Sequence, residues 1–134
     1  CNGFQILTEA GILPGILQKN IGTKFISKIV DLRVINTTST FTHKYMTNKK
    51  ISIPIAHHEG NYFASKNDLE ELKDKNCIAF EYKDNPNGAS ENIAGILSEN
   101  HRVLGMMPHP ERHIEDAHGC KDGYPFFEGL FQTS

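Results

Sequence analysis

Cysteine is scarce in this 134-residue chain, and its scarcity is informative. Cys1, Cys77 and Cys120 are odd in number and widely spaced, which argues against a disulfide framework and makes a reducing cytoplasm the expected location. In that compartment the sequon Asn36-Thr37-Thr38 would carry no glycan. Excess charge is also lacking. The 14 basic and 16 acidic side chains leave a formal charge of −2, so there is no electrostatic footprint for nucleic acid. No apolar run approaches the roughly 20 residues of a membrane-spanning helix, and no charged-then-apolar leader precedes Cys1. Internal repeats, low-complexity tracts and glycine-rich phosphate loops are missing as well. So is an initiating methionine, which fits a processed or truncated chain. What is left is one domain, long enough to bury a real core.

Periodicity supplies the outline. Phe4, Ile6, Leu7 and Ala10 recur at helical spacing over residues 2–10, and Gly11, Pro14 and Gly15 close that segment. From Phe25 to Ile35 the pattern alternates, with Val30, Leu32 and Val34 on one face and Asp31 and Arg33 on the other, so a half-exposed strand is expected. Residues 51–55 predict a second strand, which Pro54 confines to a sheet edge or a bulge. A short helix is expected over Asn67–Asp74, with Asn67 as its N-cap and acidic residues in its first turn. Strands at Ile78–Tyr82, Ile93–Leu97 and Val103–Met107 follow, with a turn at Asn85–Gly88 and a hairpin through Ser98–Arg102. The last expected element is a helix over Pro125–Gln132 whose Phe126, Phe127, Leu130 and Phe131 face the core. The class is α/β, with more strand than helix for a full doubly wound sheet.

Two stretches carry chemistry. In CNGFQ, a cysteine stands directly before the first expected helix, where backbone N–H groups and the helix dipole favour thiolate over thiol. Gly3 leaves room for a group to approach. In Met106-Met107-Pro108-His109-Pro110-Glu111-Arg112, a strand runs into a turn braced by two prolines, and His109 and Glu111 emerge two residues apart. A cysteine attacking a carbonyl carbon needs a base, and the base needs an orienting partner. Cys1, His109 and Glu111 can fill those roles. Each also has a plainer reading: a small buried thiol, a surface histidine, and a glutamate paired with Arg112.

CNGFQ, LPG at Leu13–Gly15, SxFT at Ser39–Thr42, IPIAHHEGNY at Ile53–Tyr62, NPNG at Asn85–Gly88, IAGI at Ile93–Ile96 and LGMMPHPER at Leu104–Arg112 occur in one order. The series resembles the triad-type (class I) glutamine amidotransferases. AHHEGNY and GMMPHPER narrow the resemblance to the glutaminase subunits of bacterial phosphoribosylformylglycinamidine synthase, over nearly the whole chain. The resemblance implies a flavodoxin-like α/β domain and a catalytic triad of nucleophile Cys1, base His109 and orienter Glu111. It further implies that the Asn2 backbone N–H serves the oxyanion, that Gln5 shapes the pocket, and that the loop with Ser39 and Phe41 contacts the α-amino and carboxylate groups of glutamine, partly through backbone atoms. Ammonia would pass to a separate ATP-dependent synthetase subunit, with a small third subunit in the complex, to amidinate formylglycinamide ribonucleotide. ATP and Mg would lie on that synthetase subunit, so no cofactor is expected on this chain.

The departure from the family is at the start, where a strand and a glycine should precede the nucleophile. Residues 1–134 are therefore expected to be the C-terminal portion of a single glutamine amidotransferase domain, with the N-terminal part missing. Assayed alone, such a chain should release little glutamate, since only one of two oxyanion donors lies in it. Three other readings stand beside this one. Cys1 could be an N-terminal nucleophile activated by its own α-amine. His109, His113, His118 and Cys120 gather zinc-type ligands, though in no common zinc spacing. The chain could also act only by binding its synthetase partner. His57 and His58 stand in a family motif without an assigned role.

Overall fold

Alternating apolar residues make one long ladder, and the rest of the chain is arranged around it. The computed structural model describes residues 2–18, 26–46, 49–57, 61–84, 88–112 and 121–131. Helix α1 is Asn2–Glu9, followed by β1 (Ile16–Gln18), β2 (Ile26–Val34), β3 (Lys50–His57) and β4 (Asn61–Phe63). Helix α2 is Lys66–Asp74, then come β5 (Ile78–Tyr82), β6 (Ile93–Leu97) and β7 (Leu104–Met106), and α3 is Tyr124–Phe131. Five strands form a sheet in the order β3-β2-β5-β6-β7, every ladder antiparallel, while β1 and β4 pair by themselves. The class is mixed α/β, as expected. Among the described residues no helix is long and apolar enough to cross a membrane.

The long ladder follows the pattern in the sequence. Val30, Leu32 and Val34 of β2 are buried, and so are Ile51, Ile53 and Ile55 of β3. Each fully buried aliphatic side chain contributes about 1.5–3 kcal/mol relative to an exposed one. All of β6 is buried, so both faces of the sheet are covered at that strand. Pro54 lies on an edge strand, opposite Ile29, where its missing N–H leaves no ladder bond unmade. The β6–β7 hairpin is also as expected, with the Ser98 N–H returning to the Val103 carbonyl at 2.8 Å.

Several boundaries differ from the sequence expectation. The N-cap of α2 is Ser65 rather than Asn67: its extended backbone lets the hydroxyl accept from the Asp68 N–H at 3.1 Å. The strands β1 and β4 were not expected, being three residues each and too short to show alternation. In α3, Phe126 is buried and Phe127 half-buried, but Leu130 is exposed. The helix starts one residue early and the described part ends at Phe131. The expected turn at Asn85–Gly88 falls mostly outside the described residues, as does the start of the strand at Phe25.

Close packing fixes α1 against β7. A Cβ on Gly105 would stand 2.6 Å from Cδ1 of Phe4 and 2.7 Å from Cδ1 of Leu13. Phe4 cannot swing away freely, because its ring stacks on buried Tyr62 with centroids 5.5 Å apart. The Tyr62 hydroxyl in turn donates to the Pro14 carbonyl at 2.6 Å. Gly105→Ala should therefore destabilise the fold by about 1–3 kcal/mol, read as a lower midpoint in urea. An unchanged midpoint would mean that α1 is free to shift.

The β2–β3 ladder also carries a titrating group. The Asp31 carboxylate accepts from its cross-strand partner Ser52 at 2.8 Å and faces Lys50 at 3.4 Å. The Ser52 hydroxyl first, and then the Lys50 charge, hold its pKa below the ordinary carboxylate value, with burial opposing them. Stabilisation from this group is complete above the ordinary value and is lost as pH falls through the lower folded value. Ser52→Ala should move the Asp31 titration, followed by NMR, back up toward the ordinary value.

Candidate active site

Five parts of the chain line one open cavity of about 460 Å³. Gly3, Phe4 and Leu7 come from the start of α1, and Leu104–Met106 from β7. The loop after β7 brings Pro108, His109, Pro110 and Glu111, and Phe41, Phe126 and Phe127 form an aromatic wall. Phe41 stacks on Phe126 at 5.7 Å, and Phe127 meets Phe126 edge-on at 5.1 Å. Such a pocket, apolar with a few convergent polar groups, is what a small-molecule site requires. A second cavity, of about 220 Å³, lies between α2 and the end of β6 with Cys77 in its lining. Burial, and then the Glu99 charge, raise the Cys77 pKa, so this thiol is not set up as a nucleophile.

His109 is held by its backbone as well as by its side chain. The Met107 N–H prolongs the β6–β7 ladder to the Ala94 carbonyl at 3.0 Å, and Pro108 is buried. The His109 N–H then donates to the Pro54 carbonyl at 2.7 Å. Pro110 starts a single 3-10 turn over Pro110–Arg112 that folds Glu111 back toward the imidazole. Nδ1 of His109 lies 3.0 Å from Oε1 of Glu111, with the two side chains 22% and 51% exposed. With Nδ1–H donating to the carboxylate, Nε2 keeps the lone pair that a base needs.

The other residues named from the sequence are distributed unevenly. Asn2 is the first residue of α1, beside the pocket-lining Gly3, and its side chain lies outside the described residues. Cys1, His58, His113, His118 and Cys120 lie outside them altogether, so the zinc reading rests on undescribed groups. His57 ends β3 opposite Ile26, its side chain likewise not described. Gln5 is not among the residues lining the cavity, and its amide donates to Glu9 at 3.3 Å. Phe41 lines the cavity and Ser39 does not. The Ser39 hydroxyl is buried and paired with that of Thr42 at 2.7 Å, so it holds the turn together.

Sequence reasoning missed Asn36 as the centre of that turn. Its Oδ1 accepts from the Thr38 N–H at 2.8 Å and from the hydroxyls of Thr38 and Thr42 at 3.2 and 3.4 Å. Its Nδ2 donates to the Asn76 carbonyl at 2.7 Å. An asparagine bonding the backbone two residues on is a local turn signal, and it was present in the sequence. The helical spacing of Phe126 and Phe127 implies only a core face; their place in the cavity wall follows from tertiary packing.

A family model described as the CobB/CobQ-like glutamine amidotransferase domain matches residues 1–119. The chain is 54% identical over 133 residues to the phosphoribosylformylglycinamidine synthase subunit PurQ of Zymomonas mobilis, covering 99% of this chain and 60% of that one. With the PurQ subunit of Ruegeria pomeroyi identity is 57% over 130 residues, 97% and 59% of the two chains. The solved structure of PurLQS from Thermotoga maritima aligns at a TM-score of 0.88 and 42% identity, over 97% of this chain and 57% of the matched one. The chain thus spans about 60% of the length of the curated relatives it matches.

Asn36 offers a direct test of how the cavity wall at Phe41 is supported. Asn36→Ala removes the acceptor of Thr38 and Thr42 and the donor to Asn76, all at a residue 1% exposed. Leaving buried groups unpaired should cost about 1–3 kcal/mol in urea unfolding. Amide exchange should quicken over residues 38–45 before it does in β5 and β6. Uniform exchange throughout would show that the turn has no separate stability.

Proposed function

The chain belongs to the CobB/CobQ-like glutamine amidotransferase domain family, and from that premise we propose that it carries the catalytic residues of a glutaminase serving phosphoribosylformylglycinamidine synthase. The observation that carries the reading is the His109–Glu111 pair at 3.0 Å, in a cavity lined by the first turn of the helix that follows Cys1. In this reading Nε2 of His109 takes the Cys1 proton as the sulfur attacks the side-chain amide carbon of glutamine. The backbone N–H of Asn2 donates to the oxyanion that forms. As the C–N bond breaks, His109 returns the proton to the departing ammonia, leaving a γ-glutamyl thioester on Cys1. Water then adds with His109 as base, the C–S bond breaks, and glutamate and the thiol are released.

Each element contributes a physical reason. α1 begins at Asn2, next in sequence to Cys1, and the positive end of a helix favours a neighbouring thiolate. Glu111 keeps the imidazole in the tautomer with Nε2 free and stabilises the imidazolium once formed. The aromatic wall excludes water from one side of the cavity, which strengthens the electrostatic interactions inside it. Since the Ser39 hydroxyl is committed to Thr42, contact between this turn and the α-amino and carboxylate groups of glutamine falls to its backbone and to the ring of Phe41. Gln5 lies on α1 outside the cavity lining, with its amide donating to Glu9.

The relatives are named as subunits of a synthase, and the similar Thermotoga maritima structure is that of PurLQS, which supports a role as one subunit among several. We therefore place ammonia use, ATP and Mg on a separate synthetase subunit, with a small third subunit in a cytoplasmic complex. In the full-length protein with that subunit, Cys1→Ala should abolish glutamine-dependent synthesis, by roughly a thousandfold or more, while added ammonia is still used. His109→Ala should behave alike, and Glu111→Gln should lose less. Retained glutamine use in Cys1→Ala would refute the assignment.

A further inference from the structure

Asp122 lies two residues before α3, beyond the residues that the family model matches, and it ties edge strand β3 to the turn that carries Phe41. Its Oδ2 accepts from the Ser52 backbone N–H at 2.7 Å, and its carbonyl accepts from the Tyr45 hydroxyl at 2.6 Å. Tyr45 ends the turn that carries Phe41, and its ring meets Phe80 edge-on at 6.2 Å. Ser52 and Pro54 stand two residues apart on edge strand β3, so their backbone groups face the same side. On that side Pro54 receives the His109 N–H at 2.7 Å. Along the outer edge of β3, then, the Asp122 carboxylate and the His109 backbone occupy successive bonding positions.

We propose that Asp122 is a positioning residue for His109. A carboxylate accepting from a backbone N–H makes a short, charge-assisted bond, stronger than its neutral counterpart. It pins β3 next to a proline that has no N–H of its own to steady the strand. The level of the Pro54 carbonyl sets where His109 stands, and with it the direction of the imidazole that Glu111 holds. Removing the carboxylate frees the outer edge at Ser52, and the displacement passes through Pro54 to the imidazole. The Phe41 wall is affected less, because Tyr45 is held by the main-chain carbonyl of Asp122, which any substitution keeps.

The inference rests on the glutaminase reading, and its test separates the two. Glutamine hydrolysis is measured for Asp122→Ala, Asp122→Asn and His109→Ala in the full-length protein assembled with its synthetase subunit, well below the unfolding temperature of each. Asp122→Ala should lower kcat roughly 10- to 100-fold through misplacement of the base, with KM for glutamine nearly unchanged. Asp122→Asn, which keeps an acceptor without the charge, should fall between it and the wild type. A wild-type kcat in Asp122→Ala, with only the melting temperature lowered, would reduce Asp122 to a structural role. A raised KM with unchanged kcat would assign it to the glutamine pocket and overturn the proposal equally. Should Asp122→Ala fail to fold, Asp122→Asn decides alone: a lowered kcat at unchanged KM supports the role, and a wild-type kcat removes it. Full hydrolysis by His109→Ala would instead defeat the glutaminase reading itself.

Discussion

One backbone hydrogen bond joins the opposite edges of the sheet. β3 and β7 are the outermost strands of a five-stranded order, yet the loop leaving β7 donates the His109 N–H to Pro54 on β3. That contact requires the sheet to curl, in the sense that twisted antiparallel sheets already favour. Curling brings the end of β7, the outer edge of β3 and the start of α3 into one neighbourhood. Without it, His109 would stand at the rim of a flat sheet and the aromatic wall would have nothing to face. The bond also occupies a carbonyl on an edge strand, and the Asp122–Ser52 bond occupies an N–H beside it, so this edge is closed to pairing with another strand.

Much of the ladder was legible because it is periodic. Val30, Leu32 and Val34 announced a one-sided strand, and Pro54 announced an edge, since each follows from a local steric or hydrogen-bonding rule. The pairing of His109 with Glu111 was legible for a similar reason: two residues in a proline-braced turn cannot be far apart. Competition between local rules was harder. Ser65 and Asn67 are both good N-caps, and only the backbone conformation at Ser65 decides between them. The three-residue strands β1 and β4 show no alternation in the sequence.

Long-range features had no local signature. Nothing in a five-strand pattern states which edges meet, so the Pro54–His109 bond and the place of Asp122 were invisible from spacing. Likewise nothing in the spacing shows that the hydroxyl of Ser39 is paired with that of Thr42, three residues on, and buried with it. Gly105 is the clearest case. Its position in LGMMPHPER suggested only a strand, while its missing side chain is what lets α1 lie against β7 beside the candidate base. The family motif was readable; the packing reason for one of its glycines was not.

Asn36 fixes, in addition, what the Asn36-Thr37-Thr38 sequence can undergo. The atom that an oligosaccharide would be joined to is Nδ2, and that atom donates to the Asn76 carbonyl at 2.7 Å in a residue 1% exposed. No transferase can approach it in the folded chain, whatever compartment the chain occupies. A sugar attached before folding would block the contact with Asn76 and, through it, the seat of the turn that carries Phe41. The buried site has no room for a glycan beside the amide that seats this turn.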